Sequence, residues 1–423
     1  MIQKFSVKNC LSIRDEEVLS FVANSDDTSE DIMVVNKGNT RLLKLGLIYG
    51  ANASGKSNIL FALNWLVRFT GGAYNPNVQE GIQFLPPFLL DEVSRTQPSE
   101  MNLIFFIGEV RYDYSLVVKD NTILLEELTR YPSGRPALVF KRGWNEYTKS
   151  SEISFGTTLK LTAKQKTMLT ALAAPRVSVI AAYINNNVDR HEVFDELKHY
   201  FRQRILPTAV ASTDVERFSN GMIRLIPDLK EFIIKILSLA DFNISDLVIK
   251  EEKTELPDEV WTELESLSGY FDEIPDRNFT EDRLYFEHTA LNFKEFLVNT
   301  LESAGTNRIY GLATYLYFLI KTNGIMLSDE LESSLHYDLL RYFVTLFLLN
   351  SDEGQLICTT HSILLLDEPF VRRDCIHLCR KDATGATGVV RVSDFGLRKD
   401  VSILSAYRAG KLGGIPNLGG LML

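Results

Sequence analysis

An apolar run, LKLGLIY at 43–49, breaks at Gly50 into ANASGKS and resumes as NILFALNWLVRF, where Ile59, Leu60, Leu63, Leu66 and Val67 recur at helical spacing. A run of that length is a buried strand, and the recurrence marks a helix covered on one side. The turn between them, Gly50-Ala51-Asn52-Ala53-Ser54-Gly55-Lys56-Ser57, fits GxxxxGK[ST]. A buried strand entering a helix through a glycine turn is a unit of an α/β fold with a parallel sheet.

Each part of that turn has a chemical use. Glycines let the backbone fold into a nest of N–H donors, which suits phosphate oxygens. The helix that follows points its positive end at the same place. Lys56 supplies a point charge for β- and γ-phosphates, and Ser57 a hydroxyl for Mg²⁺. The nucleotide-binding set expected here is Gly50, Asn52, Ser54, Gly55, Lys56, Ser57 and Asn58.

A second strand, GIMLS, ends at Asp329-Glu330. An Asp in that position helps to hold Mg²⁺ beside a phosphate loop, so Ser57 and Asp329 form the expected metal pair. Glu330 next to it is placed to polarise an attacking water as a general base. A third strand, QLICTT, ends at His361, whose ring is suited to sensing a γ-phosphate or placing that water. The carboxyl ends of strands in an open α/β sheet share one edge, so Lys56, Glu330 and His361 form the expected catalytic set.

The rest of the chain frames these motifs. Residues 2–7 and 18–23 read as strands around a turn, and 71–99 as loop. Residues 101–140 alternate, with turns at 108–109 and 119–121, which predicts an antiparallel meander. Helical patterns follow over 162–240, and 249–287 is strongly acidic, the mark of a solvated face. From 309 the α/β pattern resumes. The predicted division is 1–150, the first part of the ATPase domain, 151–295, a mainly helical insertion, and 296–423, its second part. The insertion is either a dimerisation or partner-docking element or a purely structural subdomain.

Of the 423 residues 45% are hydrophobic and 24% charged, the balance of a soluble globular protein. No apolar run reaches the ~18 residues of a membrane span, and the first residues lack the pattern of a signal peptide. The expected compartment is the cytoplasm, with no membrane partner. A net charge of -10 gives no support to a nucleic-acid grip. Cys375, His377 and Cys379 share one strand face, but they lack the fourth ligand and the spacing of a zinc site and read as ordinary strand.

Taken together, the order and spacing of these motifs resemble an ABC-type ATPase of the SMC/Rad50-like, recombination-repair branch. GANASGKSNIL resembles that branch's GxNGxGKSN loop, with Ala53 where a Gly is usual. LESAGT at 301–306 resembles its signature segment in an S-x-G-T form, DELESSLH its Walker B and D-loop region, and TTHS its H-loop. The nearest likeness is to the bacterial AAA15/AAA21 group, which includes abortive-infection ATPases resembling AbiLi and RloA and the AriA subunit of the PARIS anti-phage system. It covers roughly 1–120 and 295–420. The Q-loop stays open among Gln79, Gln83 and Gln97.

The resemblance implies an ABC-ATPase head, α/β, with a mixed or parallel sheet, an antiparallel β meander and a helical insertion. It implies ATP and Mg²⁺ as cofactors. It also implies a head-to-tail ATP-sandwich homodimer, or a higher oligomer, in which Ser303, Gly305 and Thr306 contact the γ-phosphate bound by the opposite subunit. The leading expectation is a slow regulatory ATPase of anti-phage defence that senses a phage protein and controls a separate Toprim or RloB-type nuclease. The alternatives are a DNA-repair or DNA-end-binding ATPase, with DNA as partner, and an ATP-locked scaffold.

Overall fold

The computed structural model describes residues 1–73, 84–210, 215–240, 243–255, 278–290, 293–398 and 401–413. Gln79, Gln83, most of the acidic stretch at 256–277 and the end of the tail lie outside the described residues. In chain order the strands and main helices are β1 (Ile2–Lys8), β2 (Glu17–Ser20), β3 (Val34–Lys37), β4 (Thr40–Leu43), β5 (Leu45–Gly50), α1 (Lys56–Thr70), β6 (Ser99–Ile107), β7 (Val110–Lys119), β8 (Thr122–Tyr131), β9 (Ala137–Asn145) and β10 (Ser150–Phe155). Then come α2 (Ala163–Leu172), α3 (Val179–Asn185), α4 (Glu192–His199), α5 (Val215–Leu225), α6 (Leu229–Leu239), β11 (Ile244–Glu255), β12 (Asn278–Ala290) and β13 (Phe293–Val298). The chain continues with α7 (Ala304–Lys321), β14 (Ile325–Ser328), α8 (Tyr337–Asn350), β15 (Gln355–Thr359), β16 (Ile376–Lys381), β17 (Thr387–Arg391) and α9 (Ile403–Arg408).

Contacts divide the chain into two compact units, one of Met1–Ala211, Phe318–Glu332 and Leu340–Leu423, the other of Ser212–Tyr317 and Ser333–Leu339. The first holds two large sheets. One has the order β14-β15-β5-β16-β17, parallel except for its last strand. β5, β14 and β15 are buried along their length, as strands covered on both faces must be. The other sheet is antiparallel, with the order β10-β9-β8-β7-β6-β1-β2. Its alternating burial, clearest in β7, is the period-two pattern of a sheet with unlike faces. The meander therefore runs on through β9 and β10, past the predicted end at 140.

Buried polar groups join the two sheets. The Gln355 side chain accepts from Ile2 N at 2.7 Å and donates to Ile2 O at 2.9 Å and Leu43 O at 3.0 Å. His377 is buried, packs edge-on to Phe21 and accepts from Ser20 N at 3.3 Å, and Cys375 Sγ donates to Arg372 O. Among the described residues no three metal-ligating side chains form a metal-holding group. Nor is any described helix long and apolar enough to cross a membrane.

The structure divides the chain differently from 1–150, 151–295 and 296–423. Residues 151–211 belong to the first unit, because α3, α4 and the turn after them cover the meander. Phe194 stacks on Phe140, Tyr200 on Phe105, and Tyr112 Oη donates to Glu196. Beneath them Glu126 and Arg142 are fully buried. Glu126 accepts from Val179 N, at the start of α3, and Arg142 donates to Val177 O and Ala174 O. The second unit carries a three-stranded antiparallel sheet, β11-β12-β13, so the segment is less helical than predicted. Ile244, Leu247, Leu284 and Phe286 bury one face of that sheet.

Candidate functional site

The site grows from the carboxyl edge of the parallel sheet. β15 lies between β14 and β5, so the chain ends after all three emerge side by side. At β5 the backbone turns sharply. A Cβ on Gly50 would stand 2.5 Å from Cys379 O. Gly55 has φ +101, and a Cβ there would stand 2.0 Å from Thr387 Oγ1. Ala53 adopts φ 60, the left-handed conformation in which a side chain costs about 1–2 kcal/mol. The one departure from the resembled loop pattern thus falls on a residue whose backbone favours glycine.

Lys56 opens α1 and is buried, with its Nζ donating to Gly50 O at 2.9 Å and Ala51 O at 3.1 Å. Burial lowers its pKa, while Cys379, Asp329, Glu330 and Glu332 act the other way. A buried ammonium met by two neutral carbonyls, in a loop with left-handed residues, fits a phosphate cradle. Ser54 Oγ, buried and without a hydrogen-bond partner among the described residues, is a further polar atom in that loop.

Ser57 Oγ donates to Asp329 Oδ1 at 3.1 Å. Thr359, at the end of the intervening strand, donates to the same oxygen at 2.6 Å and accepts from Glu330 N at 2.8 Å. The start of α1 and the ends of β14 and β15 are thereby tied into one group, holding a hydroxyl and a carboxylate as a hard cation requires. Glu330 has φ 51 and is exposed, and His361 is exposed with its backbone N donating to Glu332 Oε1 at 2.5 Å.

Several site residues escaped the sequence. Ser12 lies on the turn after β1. It receives Asn58 Nδ2 at 2.7 Å, and its Oγ is 2.7 Å from Thr387 Oγ1, which donates to Ser54 O at 3.0 Å. Ser12 and Thr387 clamp the loop from opposite ends of the chain, and no local pattern marks them. Thr359 and Glu332 were visible within TTHS and DELESSLH, yet only the pairing of β14 with β15 gives them a role. Asn52 is exposed. Gln97 is a backbone partner of Asn9, whose Nδ2 donates to Gln97 O at 3.0 Å.

Ser303, Gly305 and Thr306 lie in the second unit at the start of α7. Ser303 caps the helix, its Oγ accepting from Thr306 N at 3.0 Å and standing 2.8 Å from Thr306 Oγ1. A Cβ on Gly305 would come 3.2 Å from Ser334 O.

The family described as "AAA domain, putative AbiEii toxin, Type IV TA system" matches residues 47–367. No curated protein matches the chain. Among solved structures it is similar to the SMC head domain from Thermotoga maritima, at 15% identity over 92% of this chain and 98% of that one, with a TM-score of 0.41. It is also similar to an SMC head bound to the C-winged helix domain of ScpA, at 15% over 96% and 99%, TM-score 0.44. A third is an Smc head domain with an extended coiled coil bound to the C-terminal domain of ScpA, derived from Pyrococcus furiosus, at 14% over 97% and 98%, TM-score 0.39.

Proposed function

This chain belongs to the AAA-domain family of the AbiEii type, and from that premise we propose that it binds and slowly hydrolyses ATP with Mg²⁺ to control a toxic partner in anti-phage, abortive-infection defence. The observation that carries the reading is the 3.1 Å hydrogen bond from Ser57 Oγ to Asp329 Oδ1. It brings the hydroxyl of the glycine loop onto the carboxylate of a strand two places away in the sheet.

In this reading the nest at 50–57 receives the phosphates, and Asn52, Ser54 and Asn58 line or brace it. Lys56 exchanges its two carbonyl partners for phosphate oxygens, the same kind of exchange a preorganised site makes in any charge-stabilising step. Ser57 and Asp329 would hold Mg²⁺, which when bound neutralises the charge of the phosphates. Thr359 fixes the Asp329 carboxylate by donating to its Oδ1. Glu330 orients the attacking water and accepts its proton, and His361 approaches from the neighbouring strand.

Ser303, Gly305 and Thr306 open α7, a helix start suited to an anion. We assign them to the γ-phosphate of ATP held by a second copy, which makes the working form a homodimer or a larger assembly. The family description names a toxin of a Type IV TA system. The partners proposed here are a separately encoded Toprim or RloB-type nuclease and a phage protein that shifts the balance between ATP-closed and open heads, in the cytoplasm. Membership of the kind represented by AbiLi, RloA or AriA is part of this proposal.

Biochemical and phage-plating measurements test it. Purified protein should hydrolyse ATP, and Lys56→Ala should abolish ATP binding by calorimetry. Glu330→Gln should still bind ATP but hydrolyse at least about a hundredfold slower, and its native mass should double with ATP. In the native operon, phage plating should be restricted by the wild type and not by Lys56→Ala. Equal protection by both forms refutes the ATP-dependent role. ATPase stimulation by plain duplex DNA would favour a DNA-end-binding ATPase instead.

A further inference from the structure

Beyond the expected acids Asp329 and Glu330, the structure brings a third carboxylate, Glu332, to the edge of the site. After β14 the chain does not simply leave the sheet. Asp329 N bonds Ala209 O at 2.9 Å, and Glu330 then turns through φ 51. Leu331 is fully buried and its N donates to Thr359 O at 3.2 Å. The turn therefore extends the β14–β15 pairing by one step and carries Glu332 to the backbone of His361.

There Glu332 Oε1 accepts from His361 N at 2.5 Å, while Oε2 is buried and has no hydrogen-bond partner among the described residues. Burial lowers the Lys56 ammonium and raises the Tyr49 hydroxyl and the Cys358 thiol, and Glu332 lies close enough to act on all three, opposing burial at Lys56 and adding to it at Tyr49 and Cys358. A buried carboxylate oxygen without a hydrogen-bond partner costs the folded chain stability. One bond to a main-chain N–H on an exposed turn returns little of it, because water could take that bond instead. A residue that is poor for stability yet fixed against the His361 backbone is placed for the site's geometry.

We propose that Glu332 is a positioning residue of the nucleotide site. It anchors the backbone of the turn that carries His361, and so sets where that ring stands relative to Lys56, Asp329 and Glu330. This rests on the ATPase reading above. It predicts opposite effects on stability and on turnover, whereas a merely structural residue would lower both together.

The test compares Glu332→Ala, Glu332→Gln and Glu332→Asp in the full chain, without and with MgATP. Glu332→Gln keeps an acceptor for His361 N, Glu332→Asp keeps the charge but is one methylene short, and Glu332→Ala removes both. In the ATP-free protein, amide hydrogen exchange over 359–364 should quicken in the Ala and Asp variants and stay at the wild-type rate in the Gln variant. Melting temperatures of the Ala and Gln variants should be no lower than that of the wild type. The kcat for MgATP should fall about tenfold to a hundredfold in the Ala and Asp variants, with KM nearly unchanged, and recover in the Gln variant.

Unchanged exchange in Glu332→Ala overturns the anchor. Unchanged kcat, or a Gln variant as impaired as the Ala variant, overturns the positioning role. If the wild type hydrolyses no ATP, the proposed function fails, and the exchange and melting comparisons still decide whether Glu332 holds the His361 turn.

Discussion

Replacing Gly55 by alanine should damage nucleotide binding through a clash with Thr387, which lies outside the expected nucleotide-binding set. The backbone there has φ +101, which costs an L side chain about 1–2 kcal/mol. The new methyl would also stand 2.0 Å from Thr387 Oγ1, 2.7 Å from its Cγ2 and 2.8 Å from its Cβ. Thr387 is buried, so it yields only by giving up its bonds to Ser12 Oγ at 2.7 Å and Ser54 O at 3.0 Å. Those are worth about 1 kcal/mol each, and residual overlap adds about 1–3 kcal/mol. The free loop escapes this strain by moving, so binding must restore it, and the cost is subtracted from affinity. A total on the order of 4 kcal/mol is roughly three decades in the Kd for MgATP by calorimetry. The overlap part vanishes if Thr387 is cut back. In a Thr387→Gly background the same Gly55→Ala change should cost only about tenfold, leaving the backbone share. A Gly55→Ala protein that binds ATP like the wild type refutes the reasoning. So does an equal loss in both backgrounds.

Other perturbations follow from single contacts. Thr359→Val removes the donor to Asp329 and the acceptor of Glu330 N. A lost hydrogen bond to a charged group is worth about 1.5–3 kcal/mol, so the Mg²⁺ concentration for half-maximal ATP binding should rise about tenfold, and an unchanged Mg²⁺ titration would count against Asp329 as the metal carboxylate. Burial raises Glu126 from 4.5 to about 7 despite the neighbouring Arg142. The folded chain therefore binds more protons than the unfolded chain between those values, and this group's contribution falls by on the order of 3 kcal/mol as pH rises from 4.5 through 7, then stays flat. Urea midpoints of wild type and Glu126→Gln should differ by an amount that drifts over that window and is constant above it. Ala53→Gly relieves a left-handed residue at φ 60. Less than about 1 kcal/mol should be gained, because the unfolded chain gains freedom as well, and a thermal shift that falls instead would argue against strain at Ala53.

How much of this was legible depends on the range of the interaction. The loop at 50–57 could be placed from sequence because its strand, glycines and helix are adjacent, and the backbone geometry they require is local. Asp329 and His361 could be placed because β14 and β15 are short apolar runs whose ends are marked by polar residues. The meander showed itself by alternation. The sheet β11-β12-β13 did not, because acids crowd both of its faces, Glu251 and Asp282 on the face of Leu247, Leu284 and Phe286 and Glu252 and Glu281 on the other, and that charge hid the buried apolar positions. An amphipathic helix also says that it needs a cover and not which surface supplies it, so α3 and α4 were grouped with the insertion although they pack on the meander.

By itself, then, the order of residues decided that this chain makes a glycine-loop α/β sheet with acids and a histidine at its carboxyl edge. Folding decided the partners: Ser12 and Thr387 around the loop, Thr359 between Ser57's acceptor and Glu330, and Glu332 beneath His361. Each of those joins residues far apart in the chain, and such pairs are fixed by which strands lie side by side. Strand order follows from packing both faces of the sheet at once, a global condition that no short window of sequence contains.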